Sequence, residues 1–269
     1  MEDVIRLAHP SGSTAEIHLH GAHVTSWVPA GGAEALFLSR AARFQPGGSI
    51  RGGVPVIFPQ FADTGPLPKH GFARTEPWKR VDGSDARAVL RLRANERTRA
   101  IWPHAFLAEL AVELEARRIA VRLAITNTDE APFSFTGALH TYFRVADVGR
   151  ASVHGLRGLT YRDKLRGGET HREEDAELRI GEEIDRVYVD APSELRLRDE
   201  AGGRTILIRA EGFADAVIWN PGARNTASFP DMESGEERGM LCVEAAQATA
   251  PIRLAPGEAW RGAQVLEVD

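Results

Sequence analysis

Hydrophobic and polar residues alternate along much of this chain with a period of two. Over residues 106–116, Leu110, Val112 and Leu114 alternate with Ala111, Glu113 and Glu115. In Arg118–Asn127, Ile119, Val121, Leu123 and Ile125 alternate with Ala120, Arg122, Ala124 and Thr126. A strand points successive side chains to opposite faces, so this pattern predicts two antiparallel strands with one buried face, joined near Ala116 and Arg117. Shorter signals of the same kind lie at Val4–Ala8, 15–19, 24–28, 89–93, 194–198, 205–209, 216–219, 241–245 and Ala259–Val268. Helical periodicity is almost absent, with one short candidate at 95–101. No internal repeat or low-complexity tract is visible, and no linker is long enough to split the chain. Residues 162–183, rich in charge and glycine, suit a long surface excursion. The expectation is a single all-β domain over residues 1–269, built of many short antiparallel strands as a sandwich or barrel.

Composition narrows what such a fold would do. The chain has 269 residues, 43% hydrophobic and 26% charged, as in ordinary soluble globular proteins. No apolar run reaches the length of a membrane-spanning helix. The first twenty residues carry Glu2 and Asp3 and no apolar core of a signal peptide. Cys242 is the only cysteine, so no internal disulfide forms, and a reducing cytoplasm is the expected compartment. The formal net charge of -5 argues against nucleic acid or an anionic membrane as the main partner.

Against that acidic background, residues 51–74 (RGGVPVIFPQFADTGPLPKHGFAR) form a basic island. Arg51, Lys69, Arg74 and His70 face a single acid, Asp63. Local excess of positive charge in an acidic chain suits a small anion better than a polyanion. The many glycines and prolines break any regular element and suggest loops that hold the cations around apolar Val56, Ile57 and Phe58. The plainer reading is an exposed loop of solvated side chains.

Two more polar residues interrupt apolar segments. His140 lies among Leu139, Tyr142 and Phe143, and Glu244 lies within LCVEAA. Each would cost free energy unless paired, hydrogen-bonded or turned to a cleft. Each alone is compatible with a satisfied core histidine or a buried ion-pair glutamate. Together they form a possible acid–base couple, with ordinary pKa values of about 6.5 and 4.3 that allow a charged pair near neutrality. His18, His20 and His23 could place two imidazoles on one strand face, but no metal-binding motif accompanies them, and a solvated face is the expectation. The Gly47–Gly48 and Gly52–Gly53 pairs lack the Gly-Lys-Ser/Thr of a phosphate loop. Cys242 reads as a small buried hydrophobe and Trp219 as either core or sugar platform. Arg144, Arg186 and Lys164 carry no assignable role.

RGGVPVIFPQF, HGFAR, ALHTYFRV, DRVY, WNPG and CVEAA follow one another in that order. This series resembles the hexose-6-phosphate mutarotase (glucose-6-phosphate 1-epimerase) branch of the aldose 1-epimerase family. The resemblance implies a large antiparallel β-sandwich of galactose mutarotase type. It implies an isomerase that interconverts the α and β anomers of a hexose 6-phosphate, with His140 as acid and Glu244 as base. Arg51 and Arg74 match phosphate-binding cations, His70 belongs to the substrate-binding HGFAR segment, and Asp185 of DRVY matches an acceptor for a sugar hydroxyl. Lys69 stands where the family usually has a less basic residue. The resemblance implies no metal, cofactor or covalent nucleophile, and a monomer whose partner is a small sugar phosphate. Two alternatives are an epimerase of free aldoses such as galactose and a carbohydrate-binding sandwich without catalysis.

Overall fold

The expected alternation becomes a stack of sheets in a computed structural model that describes residues 3–269. The larger sheet has nine antiparallel strands. Its order is Glu177–Arg179, Ala151–His154, Glu194–Asp199, Arg204–Glu211, Ala259–Val268, Arg118–Asn127, Phe106–Leu114, Arg87–Arg93 and Lys79–Gly83. In Phe106–Leu114 the buried positions are strictly every second residue, so Phe106, Ala108, Leu110, Val112 and Leu114 enter the core. Charged residues stay on the solvent face, where Arg91 bonds Glu109 across the strands.

A second sheet packs on that apolar face. It runs Glu169–Arg172, Thr160–Asp163, Ile184–Tyr188, Asp215–Asn220, Met240–Leu254, Phe133–Leu139 and Val56–Ile57, with Tyr142–Arg144 also paired to Met240–Leu254. Leu241, Val243 and Ala245 point into the shared core, as do Phe135 and Leu139. A three-stranded sheet, Val4–Ala8, Thr14–His18 and His23–Val28, adds Ile5, Leu7, Ile17 and Trp27. The fold is therefore the antiparallel β-sandwich expected, and area removed from water, at about 25 cal/mol per Å², is its main source of stability.

The one helix read from the sequence forms as Glu96–Ile101. The Asn95 side chain accepts from the Thr98 amide at 3.0 Å, while the Thr98 hydroxyl accepts from the Asn95 amide at 2.9 Å. This reciprocal cap satisfies two amides that a helix start leaves open. Among the described residues, no helix is long and apolar enough to cross a membrane.

One expectation fails in part. Residues 162–183 are not all surface excursion: Thr160–Asp163 and Glu169–Arg172 pair as a hairpin at the sheet edge. Glu169–Arg172 is exposed or half-buried throughout, so no apolar period betrays it.

Candidate active site

The second sheet uses both of its faces. Leu241, Val243 and Ala245 enter the sandwich, so the alternation turns Cys242, Glu244 and Ala246 to the opposite side. Register then decides what meets them. Leu139 is opposite Ala245 and Tyr142 is opposite Cys242, which sets His140 across from Glu244. The His140 amide donates to Pro55 O at 3.1 Å, and the Val243 amide donates to Thr141 O at 3.2 Å, fixing the irregular step between the two short strands. His140 Nε2 lies 3.4 Å from Glu244 Oε1. On the next strands, Val217 lies opposite Glu244, and Asp185 lies opposite Trp219, which faces Cys242. Two rungs across four strands thus bring His140, Glu244, Trp219 and Asp185 to one face.

Loops supply the cations. Gly53 has φ +61°, and a Cβ there would meet Val24 O at 2.2 Å, so only glycine fits where the chain turns after Arg51. His23 is fully buried and bonds Gly52 O at 2.7 Å, and His20 bonds Gly48 O at 2.6 Å. These histidines clamp the loop that presents Arg51. The expectation of a solvated histidine face is therefore corrected for His23: the loop folds over it and uses its ring as a buried hydrogen-bonding post. His70 occupies the left-handed region at φ +67°, a strained conformation for a residue with a Cβ, and its Nδ1 accepts from the Ala62 amide at 3.3 Å.

All seven residues singled out in the sequence (Arg51, Lys69, His70, Arg74, His140, Asp185 and Glu244) line a single cavity of about 200 Å³. Lys164, Tyr142, Trp219, Phe61, Phe229, Val217 and Ser49 complete its wall. Trp219 is thus in the site, edge-on to His140, whose ring stacks on Tyr142 at 4.9 Å. Arg51 is already held: its guanidinium bonds Asp231 at 3.1 Å and Tyr142 Oη at 3.3 Å, over the Phe229 ring. Arg74 differs, for it donates to Lys69 O at 3.0 Å but has no carboxylate partner among the described residues. Its buried Nε has no hydrogen-bond partner among the described residues. Lys164, missed from sequence because it sits in a charge-rich stretch, lies 5.2 Å over the Phe61 ring. Asp231, the counter-ion of Arg51, carried no signal either: it stands among other acids, and only the fold brings it near.

Burial governs the electrostatics. Glu244 is 2% exposed, and desolvation, reinforced by Asp185, pushes its carboxyl well above the ordinary range. His140 is 7% exposed, and burial, with Arg74 next in weight, lowers it to about 3. Burial and then His140 lower His70 as well. Burial therefore works against the charged pair that ordinary pKa values would allow, because neither ion is solvated. His140 Nδ1 and Glu244 Oε2 have no hydrogen-bond partner among the described residues, so both members of the couple keep an open valence. Desolvation also lowers Arg74, with Arg51 adding to the shift and Tyr142 and Asp231 opposing it. No group of three or more potential metal ligands occurs among the described residues.

A buried imidazole–carboxylate couple beside cations on this sandwich agrees with the comparison to known proteins. The family model for aldose 1-epimerase matches residues 3–267. The chain belongs to the aldose 1-epimerase family. Two relatives share the provisional name glucose-6-phosphate 1-epimerase. One, from Cenchrus ciliaris, is 41% identical over 261 residues, covering 92% of this chain and 79% of its own. The other, from Escherichia coli, is 35% identical over 253 residues, covering 92% and 84%. A crystal structure of a provisionally named mutarotase from Salmonella typhimurium superposes with a TM-score of 0.90 at 32% identity, covering 98% of this chain and 90% of its own. This aldose 1-epimerase family member is thus an epimerase by sequence and by fold.

Proposed function

We propose that this chain interconverts the α and β anomers of a hexose 6-phosphate, as the names of its relatives suggest for them. The observation that carries the reading is Arg74, without a carboxylate partner among the described residues and set with Arg51, Lys69 and Lys164 around the cavity that holds the acid–base couple. A neutral aldose gives no reason to hold a desolvated guanidinium without a counter-ion. That weighs against the free-sugar alternative, and the couple weighs against a module that only binds.

The chemistry uses one proton in each direction. The carboxylate of Glu244 takes the proton of the C1 hydroxyl while the imidazolium of His140 donates to the ring oxygen. The C1–O5 bond opens, the aldehyde rotates about C1–C2, and the ring recloses on its other face with the two roles exchanged. Burial opposes this charged pair, and the charge of the substrate counters that. A phosphate dianion beside Arg51 and Arg74 offsets two of the cations that depress His140, which favours protonation of the imidazole as the site fills. Asp185 accepts from a ring hydroxyl, for which its two oxygens are suited.

Arg74→Ala tests the reading. Charge-assisted bonds to phosphate contribute about 1.5–3 kcal/mol, so KM for glucose 6-phosphate should rise roughly 10- to 100-fold. Exchange of free glucose should barely change. Equal losses on both sugars would remove the phosphate assignment and favour an epimerase of free aldoses.

A further inference from the structure

Gln264 is 1% exposed, yet it lies on the apolar inner face of Ala259–Val268, the face that also carries Leu266 and Val268. A primary amide in such a place loses its hydration, and only full hydrogen bonding offsets that loss. Its partners are particular. Gln264 Nε2 donates to Val243 O at 2.9 Å, and Gln264 Oε1 accepts from the Thr141 hydroxyl. Val243 immediately precedes Glu244, and Thr141 immediately follows His140. Thr141 is fully buried, and its own carbonyl accepts from the Val243 amide. One side chain of the nine-stranded sheet therefore reaches across the sandwich and grips both strands at the point where the acid and base project from their opposite side.

The regular ladder does not do this alone. Pairing between Phe133–Leu139 and Met240–Leu254 stops at Leu139, and pairing with Tyr142–Arg144 begins at Tyr142. His140 and Thr141 bridge the interruption, held by few backbone bonds. We propose that Gln264 is a positioning residue for the anomerisation reaction, setting through Thr141 and Val243 the spacing and aim of His140 and Glu244. The proposal rests on the acid–base reading of that pair. A merely structural amide would serve the core equally well bonded anywhere, whereas this one spends both ends on the neighbours of the couple.

Gln264→Leu keeps the volume and removes both bonds. A displacement of about 1 Å in a catalytic group can cost roughly 100-fold, so kcat should fall about 10- to 100-fold with KM for glucose 6-phosphate nearly unchanged. Thr141→Val should reproduce the loss, Thr141→Ser should restore most of it, and the Thr141→Val/Gln264→Leu double variant should cost little more than either alone. If Gln264→Leu does not fold, the Val and Ser variants at Thr141 decide, because they leave the Gln264–Val243 bond in place. A second readout needs no turnover: the His140 imidazole titration followed by NMR should shift in Thr141→Val and not in Thr141→Ser. Folded variants with wild-type kcat and an unmoved His140 titration would overturn the proposal. A wild type that exchanges no sugar while the His140 titration still shifts in Thr141→Val would instead discard the functional reading and keep the positioning role.

Discussion

Glu244 and His140 lie opposite each other on a desolvated face, and burial is the main cause of both pKa shifts. Glu244→Gln keeps the shape but cannot take a proton, and general acid–base catalysis contributes about 100- to 10,000-fold. Turnover should fall by that order while binding of glucose 6-phosphate, read by calorimetry, changes little. Inorganic phosphate offers a simpler check on the field at the couple. If it binds beside Arg51 and Arg74, the His140 titration should move up from about 3, because the cations that depress it are offset. An unmoved titration at saturating phosphate would separate the cation cluster from the couple. His23 gives a third residue-level expectation, on stability. Its folded pKa is about 3 against an ordinary value near 6.5, and burial is the main cause. Between those values the unfolded chain binds a proton that the folded chain refuses, so stability rises with pH across pH 3 to 6.5 and is lost on acidification. His23→Gln should flatten urea-derived stability over this window by up to about 1.4 kcal/mol per pH unit.

At the scale of elements, the site depends on turns that only glycine tolerates. Gly53→Ala would put a methyl group 2.2 Å from Val24 O at a positive φ, with His23 Nε2 at 2.8 Å. A cost of about 1–3 kcal/mol is expected, seen as a lower denaturation midpoint, and weaker phosphate affinity should accompany it as the Arg51 loop shifts. What the sequence discloses about elements follows from their exposure. Phe106–Leu114 and Arg118–Asn127 have one wet face, so their alternation is plain and their bounds were legible within two residues. Phe133–Leu139 (FSFTGAL) alternates only over its first four residues; Gly137, Ala138 and Leu139 are all buried, with Leu139 in the sandwich core and Ala138 in a small apolar cluster on the other face. So short an alternation was not read as a strand. His140 and Glu244 stood out for the converse reason, as polar residues inside apolar runs. Lys164 did not, since a lysine among arginines and acids carries no contrast. Its place in the cleft follows from the hairpin that Thr160–Asp163 forms with Glu169–Arg172.

Over the whole molecule, an acidic chain concentrates Arg51, Lys69, Arg74 and Lys164 in one cleft, while Arg87, Arg91 and Arg209 pair with acids on the outer sheet. Partly exposed cations are screened by salt, with a Debye length near 10 Å at 0.1 M. KM for a sugar phosphate should therefore rise between about 0.05 and 0.5 M sodium chloride, and KM for a free sugar should not. The central claim joins this cleft to the couple beneath it, and one measurement addresses both. Saturation-transfer NMR between the α and β anomers, on glucose 6-phosphate beside free galactose, reads the rate of ring opening directly. The wild-type protein should accelerate exchange of glucose 6-phosphate strongly and galactose weakly, and Glu244→Gln should abolish the difference. Exchange of glucose 6-phosphate at the uncatalysed rate, or faster exchange of galactose, would contradict the account.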